Sequence, residues 1–156
     1  MSDPLTQVED WAAALLARLS PAEQRKVNAK VGQALRRNQM QRIAAQRNPD
    51  GTAYAPRRVR KNLRGKKGRI KRRAMFTKLR TTRHLRVQAA ADGVTVGFFG
   101  RVARIARVHQ RGLNDRPAAG MADVRYAQRE LLGFTQPDIE LIRDTLAEHL
   151  AGPSLS

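Results

Sequence analysis

Apolar residues recur at helical spacing from the start of the chain. Leu5, Val8, Ala12, Leu15, Leu16 and Leu19 form one stripe, with Trp11 beside it. Asp3-Pro4 is a helix start, a capping side chain followed by proline in the first turn. Ser20-Pro21-Ala22-Glu23 opens a second helix with the spacing of a capping box. Val27, Val31, Leu35 and Ile43 carry its apolar face to about residue 46, and Gly32 weakens it locally. Together these predict a helical hairpin or a bent helix.

Asn48-Pro49-Asp50-Gly51 signals a turn, and Tyr54-Ala55-Pro56 continues as extended chain because proline disfavours helix before it. Residues 57–73 hold two glycines and few apolar positions, and read as a long exposed loop. Met75, Phe76 and Leu79 can share a face of a short helix over Ala74 to Thr81. Leu85 to Ala89 and Val94 to Phe98 both alternate, and Asp92-Gly93 between them predicts the turn of a β-hairpin. Val102, Ile105, Ala106 and His109 mark one face of a helix ending at Gly112, with Arg101, Arg104 and Arg111 on another face. Residues 113–123 read as loop and Val124 to Ala127 as a strand. Thr135 caps a last helix with Asp138 at the capping-box position, and Ile139, Ile142, Leu146 and Leu150 form its apolar stripe up to Gly152-Pro153. No internal repeat is visible.

This order predicts an α+β fold: a small antiparallel sheet with a hairpin, packed by N-terminal helices and a C-terminal amphipathic helix, with a long basic loop. A single domain over 1–156 is expected, made of a helical region 1–47, a basic extended loop 48–82, and a hairpin, helix, strand and last helix over 83–152. The 156 residues suffice for one modest core, and with only 4% aromatics that core must rest on Leu, Ile, Val and Ala. No apolar run approaches the roughly 20 residues of a spanning helix, so no membrane partner is expected. No secretory signal is visible. There is no cysteine, which removes disulfides, thiolate metal sites and cysteine nucleophiles together.

Charge changes the picture most. Of a formal net charge of +18, residues 51–91 supply 15 basic and no acidic side chains. The basic loop proper contains Arg57, Arg58, Arg60, Lys61, Arg64, Lys66, Lys67, Arg69, Lys71, Arg72 and Arg73, followed by Lys78, Arg80, Arg83 and Arg86. Arginine suits bidentate contact with carboxylate or phosphate. Phe76 is the one aromatic in the run, too few for stacking on single strands. Three readings stay open: docking on a partner protein, contact with a duplex DNA backbone, and a merely solvated loop.

Catalytic patterns are missing from the sequence. His84, His109 and His149 lie too far apart for the common metal spacings, and His109 reads as a partly buried histidine bonded to backbone rather than a ligand or base. No nucleophile elbow or Walker loop is found, and Gly97-Phe98-Phe99-Gly100 lacks the order of a dinucleotide fingerprint. Glu140, Asp144 and Glu148 share a helix face opposite the apolar stripe, and a solvated face or an interface is a better reading than a magnesium site. No enzyme activity, metal or cofactor is expected.

Three segments, Arg47 to Pro56, Ala106 to Gly112 and Arg129 to Thr135, taken in this order, resemble those of the phage virion morphogenesis family, the tail completion protein S group of contractile-tailed phages. Arg47-Asn48-Pro49-Asp50-Gly51-Thr52-Ala53-Tyr54-Ala55-Pro56 is similar to its Pro-Asp-Gly, small, aromatic, x-Pro segment. Ala106-Arg107-Val108-His109-Gln110-Arg111-Gly112 is similar to its apolar-His-Gln-x-Gly segment. Arg129-Glu130-Leu131-Leu132-Gly133-Phe134-Thr135 resembles its Arg-Pro-Phe-Leu-Gly-Leu-Ser segment, departing at Glu130 and Leu131. The resemblance implies a structural virion protein of the tail or neck, present in the host cytoplasm during assembly, that finishes the tail and supports head–tail joining as a homo-oligomeric ring. It implies tail and neck proteins as partners, with DNA in the channel as a further one, and no catalytic residues. A ring needs unlike patches to meet, and Arg101, Arg104 and Arg111 of one copy against Glu140, Asp144 and Glu148 of the next supply such a pair. The alternative is a basic module that contacts duplex DNA backbone non-specifically.

Overall fold

The computed structural model describes residues 3–57 and 74–151. Helix α1 (Pro4–Leu16) is followed by the long α2 (Pro21–Ala44), a hairpin of β1 (Leu85–Ala90) and β2 (Gly93–Phe98), α3 (Val102–Arg111), a second small hairpin of β3 (Asn114–Asp115) and β4 (Val124–Arg125), and α4 (Gln136–Ala151). Both pairs are antiparallel, and each makes its own two-stranded sheet. The α+β architecture is the expected one. Most of the basic loop lies outside the described residues.

Both N-terminal helices start as their sequences dictate. Asp3 Oδ1 accepts from the amides of Leu5 and Thr6, and Ser20 Oγ accepts from the Glu23 amide. The capping box at Ser20 is only half made, because the Glu23 carboxylate turns to His149 Nε2 of α4, 3.2 Å away. At Thr135 the box is complete: Thr135 N donates to Asp138 Oδ2 and Asp138 N donates to Thr135 Oγ1.

Helix α2 is the spine. Ile43 joins Tyr54, Leu85, Ala106 and Leu131 in one buried cluster, and Val27, Val31 and Leu35 join Leu146 in a second. Each fully buried Val, Leu or Ile among them contributes about 1.5–3 kcal/mol. Val8 is the buried residue of α1, and Ala12, Leu16 and Leu19 pack against the second cluster. Gly32 marks the place where the hairpin crosses α2. A Cβ there would fall 2.6 Å from Val94 Cγ2 and closer still to Val87 Cγ1. The glycine that weakens the helix in isolation thus permits its close approach to the sheet.

Elsewhere the structure departs from the sequence pattern. Residues 75–80 form turns rather than a helix, because Phe76 adopts a left-handed φ of 66° that a helix cannot continue through. Met75, Phe76 and Leu79 still pack against the first cluster. The hairpin turn is Ala91-Asp92, one residue earlier than Asp92-Gly93, since Gly93 pairs with Ala90. Buried Asn28 of α2 sets it by donating Nδ2 to the carbonyls of Ala90 (2.8 Å) and Ala91 (3.3 Å). Ile105 and Leu150 are exposed instead of lying on buried stripes, whereas Val108 is buried. The 113–123 stretch contains β3, whose pairing with β4 depends on contacts no local pattern announces.

Candidate functional site

The segment from Arg129 to Thr135 has no helix or strand of its own, yet Leu131 at its centre is fully buried. Its backbone groups therefore need partners from elsewhere. Gln110, at the end of α3, supplies three: Oε1 accepts from the amides of Leu131 (2.8 Å) and Leu132 (2.9 Å), and Nε2 donates to the Leu132 carbonyl (2.8 Å). Asn48 Oδ1 accepts from the Glu130 amide, and Tyr54 donates its hydroxyl to the Glu130 carbonyl. From α2, Gln39 exchanges bonds with the Gly133 carbonyl and amide, and Arg42 donates to the carbonyls of Arg47, Glu130 and Leu131. Asp138 is buried but bonded by Asn38, Gln39 and Thr135. Pro49 packs so closely on Gly133 that an added Cβ would sit 3.1 Å from Pro49 Cβ and nearer its Cγ.

All three segments that carry the family resemblance meet here. Asn48 and Tyr54 come from the first, Gln110 from the second, and residues 129–135 are the third. Their polar side chains clamp a strand-like stretch in place. Gln39 and Arg42 of α2 carried no signal in the sequence that marked them as site residues. Arg129 is only 5% exposed and has no carboxylate partner among the described residues; it donates Nε to the Ala55 carbonyl and Nη2 to that of Pro56. Burial, and then Arg57 nearby, pull its pKa down from the usual value.

His109 stands beside this clamp. Its ring lies edge-on between Phe76, 4.8 Å away, and Tyr126, 5.0 Å away, and Phe76 in turn meets Tyr54. Its Nδ1 is buried without a hydrogen-bond partner, so the expected bond from the ring to backbone is not made; instead its own carbonyl accepts from Arg129 N at 2.7 Å. Burial, with Arg129 adding to it, lowers the His109 pKa to about 4. The imidazole is therefore neutral at pH 7. Among the described residues no group of three or more His, Asp or Glu can hold a metal ion.

One of the charged surfaces borders the clamp, since Arg57 lies near Arg129. Arg57 marks the start of the basic loop and is half-buried, with Nη2 3.4 Å from the Ala74 carbonyl. Gln46 fixes the far side of the same root by bonding both the amide and the carbonyl of Met75. Residues 57 and 74 thus lie side by side. The basic positions Arg58, Arg60, Lys61, Arg64, Lys66, Lys67, Arg69, Lys71, Arg72 and Arg73 between them lie outside the described residues. Arg101, at the N-cap of α3, and Arg104 and Arg111 within it are exposed, and so is Arg107, which continues their face. Arg104 is partly committed: its Nη1 is 2.6 Å from Asp115 Oδ1, and that bond lowers the Asp115 pKa. On α4, Glu140, Asp144 and Glu148 are exposed on the side away from buried Ile139 and Leu146. Among the described residues no helix is long and apolar enough to cross a membrane.

Residues 3–151 match the model of the phage virion morphogenesis family. The chain is similar to tail completion protein S of Escherichia phage P2, with 39% identity over 143 residues, covering 91% of this chain and 94% of that protein. No solved structure matches it.

Proposed function

Because this chain belongs to the phage virion morphogenesis family, we propose that it is a structural protein of the virion tail that completes the tail during assembly. The observation that carries this reading is the 39% identity to a tail completion protein along nearly the full length of both chains. The clamp supports it, since the residues behind the resemblance build the scaffold rather than a reaction centre. No enzymatic step is needed for the role.

In finer terms, the protein forms a ring of copies at the head–tail junction, after folding in the host cytoplasm. The exposed arginine face of α3 meets the acidic face of α4 on the next copy, a heterologous contact that sets register and direction. The basic loop, rooted between Arg57 and Ala74, reaches acidic surfaces of neighbouring tail or neck proteins, or DNA in the channel. A phage with this gene silenced is the test. It should give heads filled with DNA but unjoined to tails, rescued by supplying the protein; normal infectious particles would overturn the reading.

A second reading, a module that binds duplex DNA backbone, is favoured by the 15 basic residues without an acid over 51–91. A binder of that kind loses affinity linearly with salt on logarithmic axes. Weak binding with a shallow salt slope would leave only the assembly role.

A further inference from the structure

The β1–β2 hairpin closes on the pair Ala90 and Gly93, with two residues between them, so that pair must be hydrogen-bonded. Alternation then directs the N–H and C=O groups of Gly93, Thr95 and Gly97 across to β1, and those of Val94 and Val96 outward. None of these outward groups meets a partner among the described residues. Edge strands are normally blunted by charge, proline or a bulge. Strand β2 reads Gly-Val-Thr-Val-Gly-Phe and has no charge and no proline, whereas β1 carries an exposed Arg86.

Beside the open edge runs a cleft of about 100 Å³. Leu35 and Gln39 of α2 form its floor, Val94 and Val96 one wall, and Leu132 to Phe134 the other. No lining residue is ionisable. Phe134 stands at its rim, 53% exposed, in a chain of net charge +18.

We propose that this edge and cleft are a self-association surface, on which a second copy of the chain lays its own β2 edge and its own Phe134. The neutrality of the patch selects the occupant. An acidic partner gains nothing there, because the cationic faces lie elsewhere. Two copies of a strongly cationic chain, by contrast, can approach closely only where like charge is absent. The patch is also self-complementary: it offers unpaired strand groups, an apolar cleft, and an exposed aromatic ring to enter the partner's cleft. Such a contact is isologous and pairs two copies of the free chain, so it is distinct from the arginine–carboxylate contact that would close a ring.

Amide hydrogen exchange on the intact protein, at low and high concentration, tests the proposal together with sedimentation at low and high salt. Protection of the Val94 and Val96 amides should rise with concentration, while that of Thr95 stays constant. Dimerisation should hold or strengthen as salt rises, since salt screens the repulsion between the two cationic bodies. Thr95 is exposed, so Thr95→Lys should leave the hairpin folded yet weaken dimerisation by about tenfold or more, through like charges on adjoining strands; Thr95→Ser should not. Phe134→Ser should weaken it as well. A monomer at every concentration with unprotected Val94 and Val96 amides would overturn the proposal, and so would dimers indifferent to Thr95→Lys. Association that dissolves in high salt would belong to the charged faces instead, leaving the ring reading intact and this one refuted. Protection conferred on a monomer by an added strand from another tail protein would replace the second copy as occupant.

Discussion

At single positions, the chain uses residues against their ordinary preferences. Gly32 is the clearest, since alanine favours a helix interior over glycine by about 1 kcal/mol. Here Gly32→Ala should destabilise by about 1–3 kcal/mol, because the new methyl has to displace Val87 and Val94. Urea denaturation of the two proteins measures this directly, and a stabilised variant would show that the crossing has room. His109 gives a pH dependence with a definite sign. Its folded pKa of about 4 lies below the ordinary value of 6.5, so between those values the unfolded chain binds the additional proton. The contribution is complete above pH 6.5 and fades as pH falls towards 4. Denaturation midpoints at pH 7 and pH 5 should therefore differ in the natural protein, and differ less in His109→Phe. Position 32 also shows what the sequence hides. A glycine in a helical pattern announces a weak point, but the residue it approaches lies more than fifty positions away and no local pattern names it.

Among the elements, caps and periodicity were readable and long-range polar contacts were not. Asp3, Ser20 and Thr135 start helices as their side chains require, and the alternation in 85–98 gives a true hairpin. Its turn fell one residue early because Asn28, on another element, holds the carbonyls of Ala90 and Ala91. Residues 74–81 have helical spacing, yet packing of Phe76 between Tyr54 and His109 goes with a left-handed backbone. The clamp was legible only as three short resemblances, since hydrogen bonds from Gln110 to a segment some twenty residues on leave no periodic trace. Gln110→Ala should remove three of those bonds and leave buried amides of Leu131 and Leu132 unsatisfied, at a cost of about 2–4 kcal/mol. The same change should accelerate amide exchange at those two residues before the rest of the chain opens. Equal protection in both proteins would show that the segment holds itself.

For the whole molecule, the distribution of charge matters more than its total. The cationic α3 face, the acidic α4 face and the neutral β2 edge are three unlike surfaces on one small body. The proposed ring contact predicts that reversing the acidic face with Glu140→Lys, Asp144→Lys and Glu148→Lys abolishes assembly in mass photometry, and that Arg101→Glu with Arg111→Glu on the same chain restores it. Failure of the restored pairing would separate the two helices as partners. The clamp also ties together parts of the chain that lie far apart in sequence. Asn38 and Gln39 of α2 bond residues 94 to 100 positions later, and Leu146 completes the core cluster begun at Val27. Contacts of such high order form late and slowly. While a ribosome is still making the last third, α2 has half a core and polar side chains without acceptors. A chain cut short after β4 lacks both Leu146 and the Asp138 carboxylate, so it should be digested by protease much faster than the full chain, and equal resistance would show that α2 and the hairpin close a core without α4.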